Sequence, residues 1–157
     1  MEVKILSTHL VFPSTFPIKT FDFGAELLQQ LENTQQIVRV AVFLIDSEML
    51  KIFEDKVLKK GKKIKLLCDR NIDEQTKEFL IFLRKNYPES FFYKIWNREN
   101  SFHTKFIVFD TCSVIVGSHN LKMRSLRENL EISLLIKEPK TVINLLEIFE
   151  YIYKNLQ

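Results

Sequence analysis

The stretch IVRVAVFLIDSEMLKIFEDKVLKKGKKIKLLCD, Ile37–Asp69, decides the fold. Ile37 to Ile45 is rich in β-branched residues and almost continuously apolar, the pattern of a strand covered on both faces. Asp46 or Ser47 is placed to cap a helix whose Met49, Leu50, Phe53, Val57 and Leu58 keep helical spacing. Gly61 ends that helix, and Lys62 to Asp69 reads as another strand. The alternation extends outward in both directions. Upstream, Val3 to Phe12 reads as one or two short strands stopped by Pro13 and Pro17. Asp22 then caps a helix from Phe23 to Asn33 that gathers Ala25, Leu27, Leu28 and Leu31 on one face. Downstream come a helix from Glu74 to Lys85 and strands at Phe91–Trp96, His103–Phe109, Ser113–Ser118 and Leu130–Ile136. A last helix spans Thr141 to Asn155. Strands alternating with helices imply a layered α/β domain with helices on both sheet faces. With no repeat, low-complexity tract or linker, residues 1–157 read as one domain.

Composition agrees. A chain of 157 residues can bury a sizeable core without staples, and fourteen Phe against three Gly suggest a dense interior. The balance of 23 Lys and Arg against 20 Asp and Glu gives a net charge of +3, too small to identify a nucleic-acid partner by itself. The longest unbroken apolar run, Val40 to Ile45, is far short of the roughly 20 residues a membrane span needs. No secretory signal is read at the amino terminus. Cys68 and Cys112 both sit in strand-like runs, which reads as two buried thiols in a reducing cytoplasm. The expectation is a cytoplasmic protein without a membrane partner.

The chemistry is concentrated between His103 and Asn120. His103 and Lys105 are two apart on the expected strand and leave the same face. A hairpin reversing near Thr111 and Cys112 would place Lys105 opposite Ser118 and His103 opposite Asn120. An imidazole, an ammonium, a hydroxyl and a carboxamide would then converge at one sheet edge. Imidazole can attack phosphorus or move a proton near neutral pH. Lysine supplies a point charge to non-bridging oxygens, and Asn and Ser add neutral donors.

The segment fits H-x-K-x4-D-x6-G-S-x-N through His103, Lys105, Asp110, Gly117, Ser118 and Asn120, and so resembles the phospholipase D superfamily. Downstream, Ser125, Asn129 and Glu131 look like that family's usual continuation, and the turn from Leu58 to Asp69 is similar to its members. The resemblance implies an α/β/α sandwich, a mixed central sheet flanked by helices on both faces. It also implies a two-histidine mechanism without metal or other cofactor, passing through a phosphohistidine. On this sequence His103 would be the nucleophile, while Lys105 and Asn120 would hold phosphate oxygens with Ser118 in support. Glu131 would hydrogen-bond the imidazole and fix its tautomer. Asp110 and Gly117 would be motif residues of structural role. Phospholipases of the family carry two motif copies and this chain carries one, so a homodimer would bring two copies of His103 to one interface. Lys122 stands where the family often has Ser or Thr.

Short single-motif members that look like this chain are mostly nucleases acting on DNA or RNA. Arg98, Lys122, Arg124 and Arg127 flank the motif and are candidate contacts to a nucleic-acid backbone. The denser cluster of Lys56, Lys59, Lys60, Lys62, Lys63 and Lys65 reads as a solvated helix end, where lysines also suit the helix dipole. Trp96 and Phe102 are assigned to the core in preference to base stacking. Two alternatives stand beside the nuclease: a lipid phosphodiesterase resembling cardiolipin hydrolases, and a non-catalytic nucleic-acid-binding module.

Overall fold

The computed structural model describes residues 2–8 and 15–157. In chain order the elements are β1 (Val3–Ser7), β2 (Phe21–Asp22), α1 (Phe23–Asn33), β3 (Ile37–Val42), α2 (Ser47–Lys56), β4 (Lys63–Asp69) and α3 (Glu74–Asn86). They continue with β5 (Phe91–Trp96), β6 (Lys105–Phe109), β7 (Ser113–Gly117), α4 (Met123–Glu128), β8 (Ile132–Ile136) and α5 (Pro139–Asn155). The expected strand residues 9–12 and the stop at Pro13 lie outside the described residues. Two elements, β2 and α4, are too short for hydrophobic periodicity to announce.

Local chemistry sets the helix starts. Asp22, Asp46 and Asp73 each accept a backbone N–H three residues on, at 2.7, 2.8 and 2.7 Å, and so cap α1, α2 and α3. A short 3-10 turn, Leu58–Lys60, follows α2 and closes on Gly61, whose φ of 73° is in the left-handed region that favours glycine.

All eight strands form one mixed sheet in the order β2-β1-β8-β7-β6-β3-β4-β5. The β3–β4 and β4–β5 pairs are parallel, with α2 and α3 as their crossovers, while β6, β7 and β8 run antiparallel to their neighbours. On one face α1, α2 and α3 pack on Val40, Leu66, Ile107 and Leu135. On the other, α5 lays Val142 and Phe149 over Ala41, Leu67, Phe106 and Val114. Helices therefore do cover both faces. Phe53, Phe91 and Phe149 are fully buried, each contributing about 1.5–3 kcal/mol over an exposed side chain.

The cover on the second face is incomplete. A lateral row runs Ile5, Leu134, Val116, Phe106, Ala41, Leu67 across the paired strands. The α5 cluster includes the last four of these, but Ile5 and Leu134 each remain 37% exposed, beside Val3 at 44% and Ile132 at 47%.

Three expectations need correction. The β6–β7 ladder pairs Phe106 with Val116 and Phe109 with Ser113, which carries Lys105 opposite Gly117 and not Ser118. The one-residue offset comes from the reversal: it holds Asp110, Thr111 and Cys112, with Asp110 at φ 51°, a conformation Asp tolerates better than most residues. Second, β6 begins at Lys105, so His103 belongs to the preceding loop and has no ladder partner across from Asn120. Third, Cys112 is exposed in that reversal; only Cys68 is buried, where desolvation, with the neighbouring Asp69, pushes its thiol up to about 12.

Candidate active site

All the motif residues but Asp110 lie at the end of the sheet where β3 and β4 end and β6 begins, the strand ends at which sheets of this kind bind ligands. His103 is exposed. Its ring lies 4.6 Å from the Phe43 ring, and its Nδ1 is 3.3 Å from Lys105 Nζ. The same ammonium donates to His103 O at 3.0 Å and sits 5.5 Å from the Phe43 ring centre. Burial pushes the Lys105 pKa down, and Glu131 acts against that shift. Phe43 is thus a shelf for both groups, a role no sequence motif signalled.

Asn120 is held by the end of β3. Its Oδ1 accepts Leu44 N–H at 3.2 Å. That backbone donor fixes the orientation of the carboxamide and commits its oxygen, so the NH2 is the half left to donate to an anion. The neighbouring segment is stitched in place: Leu121 N–H donates to Leu44 O at 3.0 Å, and Asp46 N–H to Leu121 O at 3.1 Å. Asp46 also accepts Met123 N–H at 2.8 Å, which ties the start of α4 to the start of α2.

Ser118 and Glu131 form a second pair. Ser118 Oγ donates to Glu131 Oε2 and accepts Ile132 N–H at 3.0 Å. Within one chain, therefore, the Glu131 carboxylate rests on Ser118; among the described residues it makes no hydrogen bond to the His103 ring. Gly117 explains how β8 can come so near, since a Cβ there would fall 2.4 Å from Ser133 Cα and 2.5 Å from Ile132 O.

Asp110 is at the far end of β6. Its carboxylate accepts the N–H groups of Gln35, Gln36 and Ile37 at 2.8, 2.9 and 2.8 Å, fastening the entry to β3. His119, unassigned by the sequence, is 3% exposed, stacked on Phe23 at 3.8 Å, with Nδ1 2.7 Å from Ser133 Oγ. Desolvation lowers its pKa to about 4, opposed by Asp22.

Of the flanking basic residues, Arg98 stacks over Trp96 at 4.9 Å and Arg124 pairs with Glu128 at 2.6 Å. Lys122 is half-buried at the start of α4, and Arg127 is exposed. In the lysine cluster Lys56, Lys59 and Lys65 pair with Glu32, Asp55 and Glu150. Trp96 and Phe102 pack together at 5.2 Å in the α5-side core. Among the described residues no group of three or more His, Cys, Asp or Glu is arranged to hold a metal ion, and no helix is long and apolar enough to cross a membrane.

Residues 27–153 match the family model described as "Cardiolipin synthase, PLD-like domain". The chain belongs to the phospholipase D-like domain family. Among solved structures it is similar to NucT from Helicobacter pylori, with a TM-score of 0.75 and 16% identity over 99% of this chain and 98% of that one. It is equally similar to Nuc from Salmonella typhimurium, a phospholipase D family member, with a TM-score of 0.76 and 17% identity over 99% and 96%. TrmBL2, an archaeal chromatin protein, matches at a TM-score of 0.63 and 16% identity, over 85% of this chain and 49% of that one. No curated protein matches the sequence.

Proposed function

We propose that the protein is a metal-independent phosphodiesterase that cleaves nucleic acid as a homodimer. The observation that carries this is the exposed His103 imidazole in contact with Lys105, beside an Asn120 amide whose oxygen is already committed. Nδ1 faces the ammonium, and Nε2 has no partner among the described residues. A phosphodiester arriving at this site competes for Lys105, whose ammonium turns to a non-bridging oxygen, while the Asn120 NH2 donates to another. Once the ammonium has left Nδ1, the ring proton passes from Nε2 to Nδ1; the Nε2 lone pair then attacks phosphorus, the P–O bond to the leaving group breaks, and a phosphohistidine forms. The leaving oxygen takes a proton from His103 of a second copy. That imidazole next removes a proton from water, and the resulting hydroxide displaces His103 from phosphorus.

The dimer follows from one motif supplying one imidazole. Support comes from the open apolar face of β1 and β8: Val3, Ile5, Ile132 and Leu134 begin one residue from Glu131 and lie outside the cover of α5. Nucleic acid is favoured by the exposed Arg98, Arg124 and Arg127, which flank the motif in the chain, and by the likeness to TrmBL2, a chromatin protein with its own mode of DNA binding. The family model's own description favours a second substrate, a lipid phosphodiester.

The test uses labelled DNA and RNA, single- and double-stranded, and cardiolipin vesicles, each in excess EDTA. Wild type is expected to cleave nucleic acid, His103→Asn is not, and denaturing at alkaline pH, where a phosphohistidine survives, should trap labelled phosphate on His103. Loss of cleavage in EDTA, or cleavage by His103→Asn, overturns the mechanism. Lipid hydrolysis without nucleic-acid cleavage replaces the substrate.

A further inference from the structure

His103 is carried by residues 97–104, an irregular segment between β5 and β6. A loop of that length would ordinarily let an imidazole wander. Here it is fastened along its length. Trp96 Nε1 donates to Asn100 O at 2.7 Å, and the Arg70 guanidinium donates to Arg98 O at 2.9 Å and Glu99 O at 3.3 Å. The last fastening touches the residue before the imidazole: Phe102 N–H donates to Asp69 Oδ2 at 2.7 Å, while the Phe102 ring is buried against Trp96.

Asp69 closes β4 and is 1% exposed. Its other oxygen accepts the backbone and side-chain N–H of Asn71 at 3.0 and 2.7 Å. Asp69 N–H donates to Phe43 O at 3.2 Å, so one residue holds both the loop that carries His103 and the shelf beneath the ring. Burying a carboxylate is costly unless each lone pair is used, and here one of its two oxygens is spent on the backbone next to the nucleophile.

We propose that Asp69 is a positioning residue, fixing the backbone of Phe102 so that the His103 ring stands on Phe43 in the orientation needed for attack on phosphorus. This rests on the phosphodiesterase reading above. Asp69→Asn keeps the shape but offers one carbonyl oxygen where two carboxylate oxygens served; the amide then faces an N–H it cannot accept. A displacement of about 1 Å at a reacting atom costs up to 100-fold in rate.

The experiment compares wild type, His103→Asn, Asp69→Asn and Ser113→Ala on bis(p-nitrophenyl) phosphate, with melting temperature and the His103 imidazole NMR signals measured alongside. Ser113→Ala removes a buried hydrogen bond to Gln30 at the far end of the sheet and controls for loss of stability alone. Asp69→Asn is expected to lower kcat 10- to 100-fold with KM within twofold and to shift the His103 signals. Ser113→Ala should leave both within twofold of wild type. If Asp69→Asn does no more than Ser113→Ala, the positioning role is refuted while the phosphodiesterase stands. A wild type no faster than His103→Asn refutes the phosphodiesterase and this role together. Should Asp69→Asn not fold, Asn71→Ala, which unbraces the same carboxylate, must shift the His103 signals and lower kcat; unchanged values refute the proposal.

Discussion

Replacing Asp110 by Ala removes the acceptor for three consecutive backbone donors, Gln35, Gln36 and Ile37. Hydrogen bonds to a charged group are worth about 1.5–3 kcal/mol each. These three share one carboxylate and are partly exposed, so their joint contribution is discounted to about 3 kcal/mol. Ala in the left-handed conformation that Asp110 occupies at φ 51° adds about 1 kcal/mol. The total, about 4 kcal/mol, lowers the melting temperature by about 8–16 °C in a chain of this size. Activity responds differently. The five residues of β6 put about 17 Å between Asp110 and the Lys105 end of the strand, so kcat per folded molecule is expected to be unchanged. Urea denaturation followed by circular dichroism, with kcat measured where both proteins are folded, separates the two effects. Asp110→Gly supplies an internal control: it loses the same bonds without the left-handed strain and should be about 1 kcal/mol more stable than Asp110→Ala. An unchanged urea midpoint together with lost activity would refute the reasoning and place Asp110 in the reaction.

Gly117→Ala drives a methyl into Ser133 and the Ile132 carbonyl; β7 and β8 must part, so calorimetry should show a loss of about 1–3 kcal/mol, with lower activity as Ser118 and Glu131 shift. His119 titrates near 6.5 in unfolded chains and about 4 when folded. Between those values the unfolded state takes up a proton that the native state refuses, so stability is full above pH 6.5 and falls as pH drops towards 4. Urea midpoints at pH 7 and 5 should therefore differ more for wild type than for His119→Gln; equal differences would show that His119 contributes nothing. Ile5→Lys combined with Leu134→Lys places two charges on the open sheet face, and sedimentation should find a monomer without activity. A dimer of wild-type activity would move the interface elsewhere.

The order of strands and helices is legible because long amphipathic or continuously apolar runs carry it; Asp22 marks the start of α1 to the residue, the start of α2 is narrowed to Asp46 or Ser47, and the Asp73 cap of α3 emerges only from the structure. Failures came where a single residue decides. The hairpin register hung on whether Asp110 belonged to the strand or the turn, and only its left-handed backbone, invisible to periodicity, places it in the turn. Alternation with Lys105 reads His103 as a strand residue, yet its position is set by the bonds that fasten the residues before it, above all Phe102 to Asp69. Asp69 itself carried a signal, an acidic residue ending an apolar strand, but nothing in the local sequence links it to Phe102 thirty-three positions later. Phe43 and His119 were unremarkable for the same reason: their roles come from what the fold stacks against them.

The sheet joins β1 to β8, the first strand of the chain to the last, and Lys137 adds an ion pair to Glu2 at 2.9 Å. Such a pairing closes a long loop that contains every strand between β1 and β8, and its entropic cost must be met before any contact rewards it. As the chain leaves the ribosome, β1 therefore waits with one edge unsatisfied until the residues after Glu131 emerge. Nascent chains arrested before Ile132 should remain open to protease at β1, whereas chains that extend past Ile136 should close that edge as β8 docks, at the moment Ser118 first meets Glu131.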